Sequence, residues 1–333
     1  MRLFRCFILF TSLWIAVTAV GFAQPYGLTA PPAMSPYFDG VFPPTPPVLG
    51  SFTAVDAYPN LTFINPMGVI QMPGQNKMIT WQREGQIYIF DKDGSTSTKT
   101  LMLDLSNQCQ GWDDSGMMNF VFHPQFDLSG AVGTNRFVFV YYEWVPPGTV
   151  TGNPNTRPNN NILAMRDRIS RFTLDANGVA VPDSEVVIMD QAAPNTWHDG
   201  SGMFFHPDNG FLYWTNGNDA NGGNDQKING GLFGGVFRVD VDKRGGAISH
   251  APVRVPTGCT TQEYYIPNNN PFVGQSGVAE EFFALGLRSP HRMTIDPSTK
   301  RIFIGDVGEG QREEVDIIEP NEVRLLAPHC QPR

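Results

Sequence analysis

LGLRSPHRMTIDPSTKRIFIGDVGEGQREEVD, residues 285–316, is the stretch whose reading decides the fold. Two apolar strands, HRMTI and RIFIG, flank a turn built on Pro297. Arg288 stands before the first strand, and a Gly-rich turn with the acidic pair Glu313–Glu314 follows the second. Strands this apolar belong inside a folded sheet. The polar residues at their ends are then displayed by a rigid frame, where β proteins place their chemistry.

The same pattern returns upstream: a short apolar strand, a turn with Pro, a second apolar strand, then a third that ends on an acidic residue or turn. The first copy reads MGVIQMPGQ, KMITW and QIYIFD; the second reads MNFVFHPQFD, RFVFVYYE and RISRFTLD. The third reads GMFFHPDNG, FLYWTNG and GVFRVDVD, and the fourth closes with EEVDIIEP. KTLMLDL and EVVIMDQ add an outer strand to the first two copies. The turn prolines (Pro73, Pro124, Pro207 and Pro297) are unevenly spaced, so what repeats is a supersecondary unit with variable loops. Small antiparallel sheets that recur in this way bury both faces by packing around an axis, which is the logic of a β-propeller. The expected fold is all-β, a propeller with about four blades visible. A β-sandwich is the alternative. In a propeller, residues just before the first strand of a copy, or just after its second, converge near the axis.

Composition supports this class. The 333 residues include 34 Gly and 28 Pro, and long helical periodicity is absent. A net charge of −9 without basic clusters argues against nucleic acid, and no Gly-rich loop ends in Lys-Ser or Lys-Thr as phosphate binding requires. Residues 1–23 have a basic start, an apolar run and the small-residue ending of a signal peptide, which predicts export to the periplasm or medium and no membrane span after cleavage. Residues 24–47 form a Pro-rich leader, 48–320 the propeller, and 321–333 a divergent tail. Of the four cysteines, Cys109 and Cys259 are the pair inside the body of the fold, and the sequence leaves open whether they are joined.

The inter-blade positions carry the candidate chemistry. NTWHDGSG places His198 before the third copy, and LGLRSP places Arg288 before the fourth. TNGNDANGGND (215–225) and GDVGEGQREE (305–314) follow second strands. Each has a plainer reading: a structural histidine, an arginine tying blades through carbonyls, solvated acids, an Asn/Asp/Gly loop without EF-hand spacing. His123 and His206 sit in Phe-His-Pro turns and are assigned to structure.

These blocks resemble a known family. HDGSG followed by MFFHPDNGFLYWTNGN looks like the His-Asn-Gly-Gly block of the soluble, quinone-dependent aldose sugar dehydrogenases, also called glucose/sorbosone dehydrogenase-like. LGLRSPHRMTIDP resembles that family's Gly-x-Arg-Asn-Pro block, RIFIGDVGEGQREEVD its calcium turn, and GMMNFVFHPQFD its early Phe-His-Pro block. The resemblance runs from about Phe63 to Glu319. It implies a six-bladed propeller that binds pyrroloquinoline quinone (PQQ) over Ca²⁺ and oxidises the C1 hydroxyl of aldoses, passing electrons to an external acceptor. It further implies His198 as general base, with Arg288, Ser289, Asn218 and Asp219 around the cofactor. The backbone carbonyls of Gly308 and Glu309 would hold the Ca²⁺. The departures are Asp199 and Ser201 in the His-Asn-Gly-Gly block, Ser289 after the key Arg, and Asn218 where the family has Asp. The family pattern stops after Glu319, which gives the expectation of a C-terminally truncated propeller. Three other readings stand beside the dehydrogenase: a non-enzymatic propeller that binds carbohydrate or protein, in the manner of the Hedgehog-interacting-protein-like relatives, an inactive fragment, and a Ca²⁺-dependent lactonase.

Overall fold

The computed structural model describes residues 53–109, 113–131, 135–148, 164–310, 313–320 and 324–325. The expected signal peptide, the Pro-rich leader and most of the tail lie outside the described residues. No α-helix occurs among those described, and no helix is long and apolar enough to cross a membrane.

Four antiparallel sheets follow the four sequence copies. The first holds β1 (Pro66–Gln71), β2 (Lys77–Gln82), β3 (Gln86–Asp91) and β4 (Lys99–Asp104) in chain order. The second holds β5 (Met117–Phe122), β6 (Phe137–Trp144), β7 (Arg166–Thr173) and β8 (Val186–Ala192). The third starts with β9 (Met203–Phe205), β10 (Leu212–Asn216) and β11 (Gly235–Val239). A small hairpin of β12 (Ser249–His250) and β14 (Ile266–Pro267) then intervenes. β13 (Cys259–Gln262) crosses back to pair with β8 as a fifth strand of the second sheet. β15 (Phe282–Leu285) completes the third sheet beside β11, and β19 (Arg324–Leu325), inside the expected tail, joins it in parallel. The fourth sheet is β16 (Pro290–Ile295), β17 (Ile302–Asp306) and β18 (Glu314–Ile318).

The inner strands meet in sequence, β1 against β5, β5 against β9, β9 against β16. This is a propeller-like arrangement of four blades, as the repeat predicts. It also explains why the strands read as continuous apolar runs rather than alternating ones. Successive side chains of a strand point to opposite faces, and an inner blade has no solvent face. In β6, Val138, Val140 and Tyr142 pack on the first sheet, while Phe139 and Tyr141 pack on the third. In β10, Leu212 and Trp214 face the second sheet and Tyr213 faces the fourth. The core is therefore three apolar layers, one in each gap between successive sheets.

Cys109 and Cys259 are buried in different layers and are not joined to each other. His123 is buried against Phe139 and Phe205 with Nε2 at 3.1 Å from Asp242. His206 lies against Tyr213, with burial lowering its pKa.

Candidate active site

The end of β10 runs directly into four residues that each bond a different part of the blade assembly. Thr215 is fully buried; its Oγ1 accepts the Gly202 amide and donates to the Pro290 carbonyl, both at 2.8 Å. The third and fourth sheets are thereby pinned at their inner ends. Asn216 donates to Asp167 Oδ2 at 2.9 Å and to the Leu232 carbonyl, and accepts from the Tyr141 hydroxyl at 2.6 Å. Gly217 lies between two passing backbones. A Cβ there would fall 2.0 Å from the His198 carbonyl oxygen and 2.7 Å from that of Arg288, so only glycine fits.

Asn218 joins the two residues singled out by the repeat. Its amide donates to the Arg288 carbonyl at 2.9 Å, and its Oδ1 lies 2.8 Å from His198 Nδ1. Asn218 Nδ2 donates at 2.7 Å to Asp225 Oδ1. That second bond decides the first. A carboxylate accepts only, so the NH₂ end of the amide must face Asp225 and the carbonyl end must face His198. His198 Nδ1 therefore carries the ring proton, and Nε2 carries the lone pair. His198 has φ of 63°, and its amide is held by Asp114 Oδ2 at 3.0 Å. A left-handed conformation is uncommon for a histidine and persists here because these bonds hold it.

Arg288 is half-buried. Its amide and that of Ser289 both donate to the Asp306 carboxylate, at 2.9 and 2.6 Å. Its Nη1 donates to the Val307 carbonyl at 2.9 Å and more distantly to Gly308 at 3.4 Å. Among the described residues, its Nε and Nη2 make no hydrogen bond. Glu313 accepts the Gly308 amide at 2.9 Å and shapes the turn, while Glu309 is exposed. Ser289 is buried at the head of β16, held by its backbone. Asp219, half-buried with φ of 55°, accepts from the Asn195 amide, and burial raises its pKa to about 6.

His198, Asn218, Arg288 and the 307–309 turn are thus brought together, as inter-blade convergence requires. Ser289 and Asp219 lie beside them, engaged in backbone fixation. Asp113 and Asp114 were not read from the sequence. They precede the second copy at the same kind of position as His198 and Arg288, and Asp113 accepts from Thr196 while Asp114 holds His198. The positional rule that found His198, applied to copy two, would have reached them.

The sequence profile of the glucose/sorbosone dehydrogenase family matches residues 63–322. The chain belongs to this family. Among curated relatives of this glucose/sorbosone dehydrogenase family member, the HIPL2 protein of Arabidopsis thaliana is 27% identical over 278 residues. That alignment covers 74% of this chain and 38% of the relative. The HIPL1 protein of the same plant is 26% identical over 242 residues, covering 65% of this chain and 33% of the relative. The chain thus spans less than two fifths of these two proteins. The crystal structure of the soluble aldose sugar dehydrogenase of Escherichia coli in its apo form superposes with a TM-score of 0.56 at 18% identity. It covers 78% of this chain and 61% of that one, a likeness of fold.

Proposed function

We propose that this glucose/sorbosone dehydrogenase family member is an exported dehydrogenase that oxidises the C1 hydroxyl of aldose sugars, with PQQ and Ca²⁺ as cofactors. The observation that carries the reading is the tautomer of His198. With Nδ1–H committed to Asn218, Nε2 presents a lone pair, as a general base requires.

The residues present fit the proposed cofactors. Among the described residues, two guanidinium nitrogens of Arg288 make no hydrogen bond, which suits an anionic, oxygen-rich ring. The 307–308 carbonyls already face a positive group, so the turn presents oxygen to charge; Ca²⁺ held by Gly308 and Glu309 would compete with Arg288 for the Gly308 carbonyl. When bound, PQQ supplies the two-electron acceptor for the hydride that leaves the sugar carbon. The chain's own part is narrower. His198 Nε2 takes the hydroxyl proton, Asn218 orients the imidazole, Asp114 holds the His198 backbone amide, and Arg288 stabilises developing negative charge.

The test is aldose-dependent dye reduction by the purified chain with PQQ and Ca²⁺, against His198→Ala. Loss of about 10²- to 10⁴-fold in rate is expected. Failure to bind quinone at all would refute the reading. The similarity to HIPL proteins supports a second reading, a propeller that binds carbohydrate or protein without chemistry. Sugar binding that leaves the dye oxidised, with His198→Ala binding as well as wild type, would favour it.

A further inference from the structure

Beneath the His198 loop lie three carboxylates that the dehydrogenase reading does not use. Glu143 (β6) and Asp167 (β7) are direct cross-strand partners, and Asp199 follows His198. They are 0%, 1% and 2% exposed, and each offers an oxygen within 4.8 Å of the others. Like charges placed directly opposite in a ladder repel, and burial away from water multiplies the cost.

The rest of the fold shows what this chain does with a buried acid. Asp190 is met by Arg166, Arg168 and Thr260, and Asp240 by Arg244 and Ser249. Glu281 receives Tyr264 and Gln262, and Asp306 receives two amides. The triad is the exception. Among the described residues, both oxygens of Glu143, both of Asp199 and Oδ1 of Asp167 have no hydrogen-bond partner; only Asp167 Oδ2 is met, by Asn216. Five acceptors thus converge with the Asn216 amide as the one donor among the described residues at their edge, and a neutral amide at 199 would have avoided one charge altogether.

We propose that Glu143, Asp167 and Asp199 bind a hard divalent cation of the Ca²⁺ class, which clamps the His198 loop onto the second sheet. The geometry suits such an ion. Ligand oxygens about 2.3–2.6 Å from a common Ca²⁺ can be up to about 5 Å apart, which spans the separations here. Carboxylates are the preferred ligands of Ca²⁺, and three offer charge enough to bind it. The site is distinct from the 307–309 turn and does not depend on quinone. The competing arrangement is proton sharing: one proton between Glu143 and Asp167 would join that pair but leave both Asp199 oxygens without a partner. Burial first, then the neighbouring carboxylates, raises the pKa of Glu143 and of Asp199 well above the usual range, so the triad must be neutralised by protons or by a cation.

The experiment uses the full chain without quinone. Wild type and the Glu143→Gln/Asp199→Asn double variant are stripped with chelator, then equilibrated with Ca²⁺ at pH 8. Bound calcium is measured by elemental analysis and unfolding by thermal melts. Wild type should hold one more Ca²⁺ per chain than the variant. Its Tm should rise by roughly 5–10 °C at a hundredfold excess over Kd, while that of the variant stays flat. In chelator the variant should melt above wild type, because its buried repulsion is gone. If the double variant fails to fold, Asp199→Asn alone carries the same comparison. Equal calcium content and equal Tm response in wild type and variant would overturn the proposal in favour of shared protons.

Discussion

Gly217→Ala tests the architecture of the site most directly. The added methyl would lie 2.0 Å from the His198 carbonyl oxygen, 2.7 Å from its carbon and 2.7 Å from the Arg288 oxygen. All three are backbone atoms, so no side chain can rotate away. Ordinary contact requires the end of β10 to retreat by about an ångström. That retreat stretches the Asn218 amide bond to Arg288 (2.9 Å) and the Gly217 amide bond to Asp199 (3.2 Å). Overpacking against an unyielding wall costs up to about 3 kcal/mol, and two weakened hydrogen bonds add about 1 kcal/mol. A loss of about 4 kcal/mol corresponds to a fall in Tm of roughly 8–16 °C for a domain of this size. Gly310→Ala is the matched control, since a methyl there meets nothing within 4 Å. Thermal melts and urea titrations read both variants. A Gly217→Ala protein that melts within 2 °C of wild type would refute the claim that His198 and Arg288 are packed through this glycine.

Thr215→Val keeps the shape but takes the Gly202 amide's acceptor and one of the two donors to the Pro290 carbonyl, the Ser201 amide remaining. A loss of about 2–4 kcal/mol in urea unfolding at unchanged m-value is expected. Asn218→Leu frees the His198 ring, so sugar oxidation should drop by about 10²-fold or more while the melting temperature falls far less, measured by dye reduction beside a melt. Asp219 holds its proton to about pH 6, above the ordinary value, so the native state binds that proton more tightly than the unfolded chain does. Its contribution to stability is full at low pH and declines as pH rises from about 4 to 6; Asp219→Asn should flatten that slope in urea midpoints taken at pH 4.5 and 7.

Much of the fold was legible because each sheet repeats a local signal. FVFVYYEW and LYWTN are buried on both faces because the second and third sheets are covered twice, whereas β16 of the fourth sheet buries Met293 and exposes Arg292 and Thr294. The strands that escaped notice lack that signal. β13 reads CTTQ, a polar outer strand that joins β8 only after a connection of more than sixty residues. β15 supplies the fourth strand of the third sheet from beyond the same insertion, and sequence proximity assigned its neighbours to the fourth copy. His198 and Arg288 were found by position in the repeat. What position could not show is how they meet, because Asn218 bridges them through one backbone bond and one side-chain bond. Glu143 hid inside an apolar run, FVFVYYEW, where its charge was the one discordant residue. A buried acid in a strand is visible in sequence, but its lack of a partner is not.

The tetrapeptide Thr215–Asn218 bonds the second, third and fourth sheets through consecutive residues. Detachment of any one of those sheets breaks at least one of these bonds. The amides of Gly202 and Asn218 should therefore exchange with deuterium only through opening of the whole assembly, even though they border a loop. Loops at reactive sites are commonly the first part of a protein to loosen. Here the reactive loop is tied to the slowest-opening part of the molecule, so partially unfolded chains keep the ordered histidine until the second, third and fourth sheets separate.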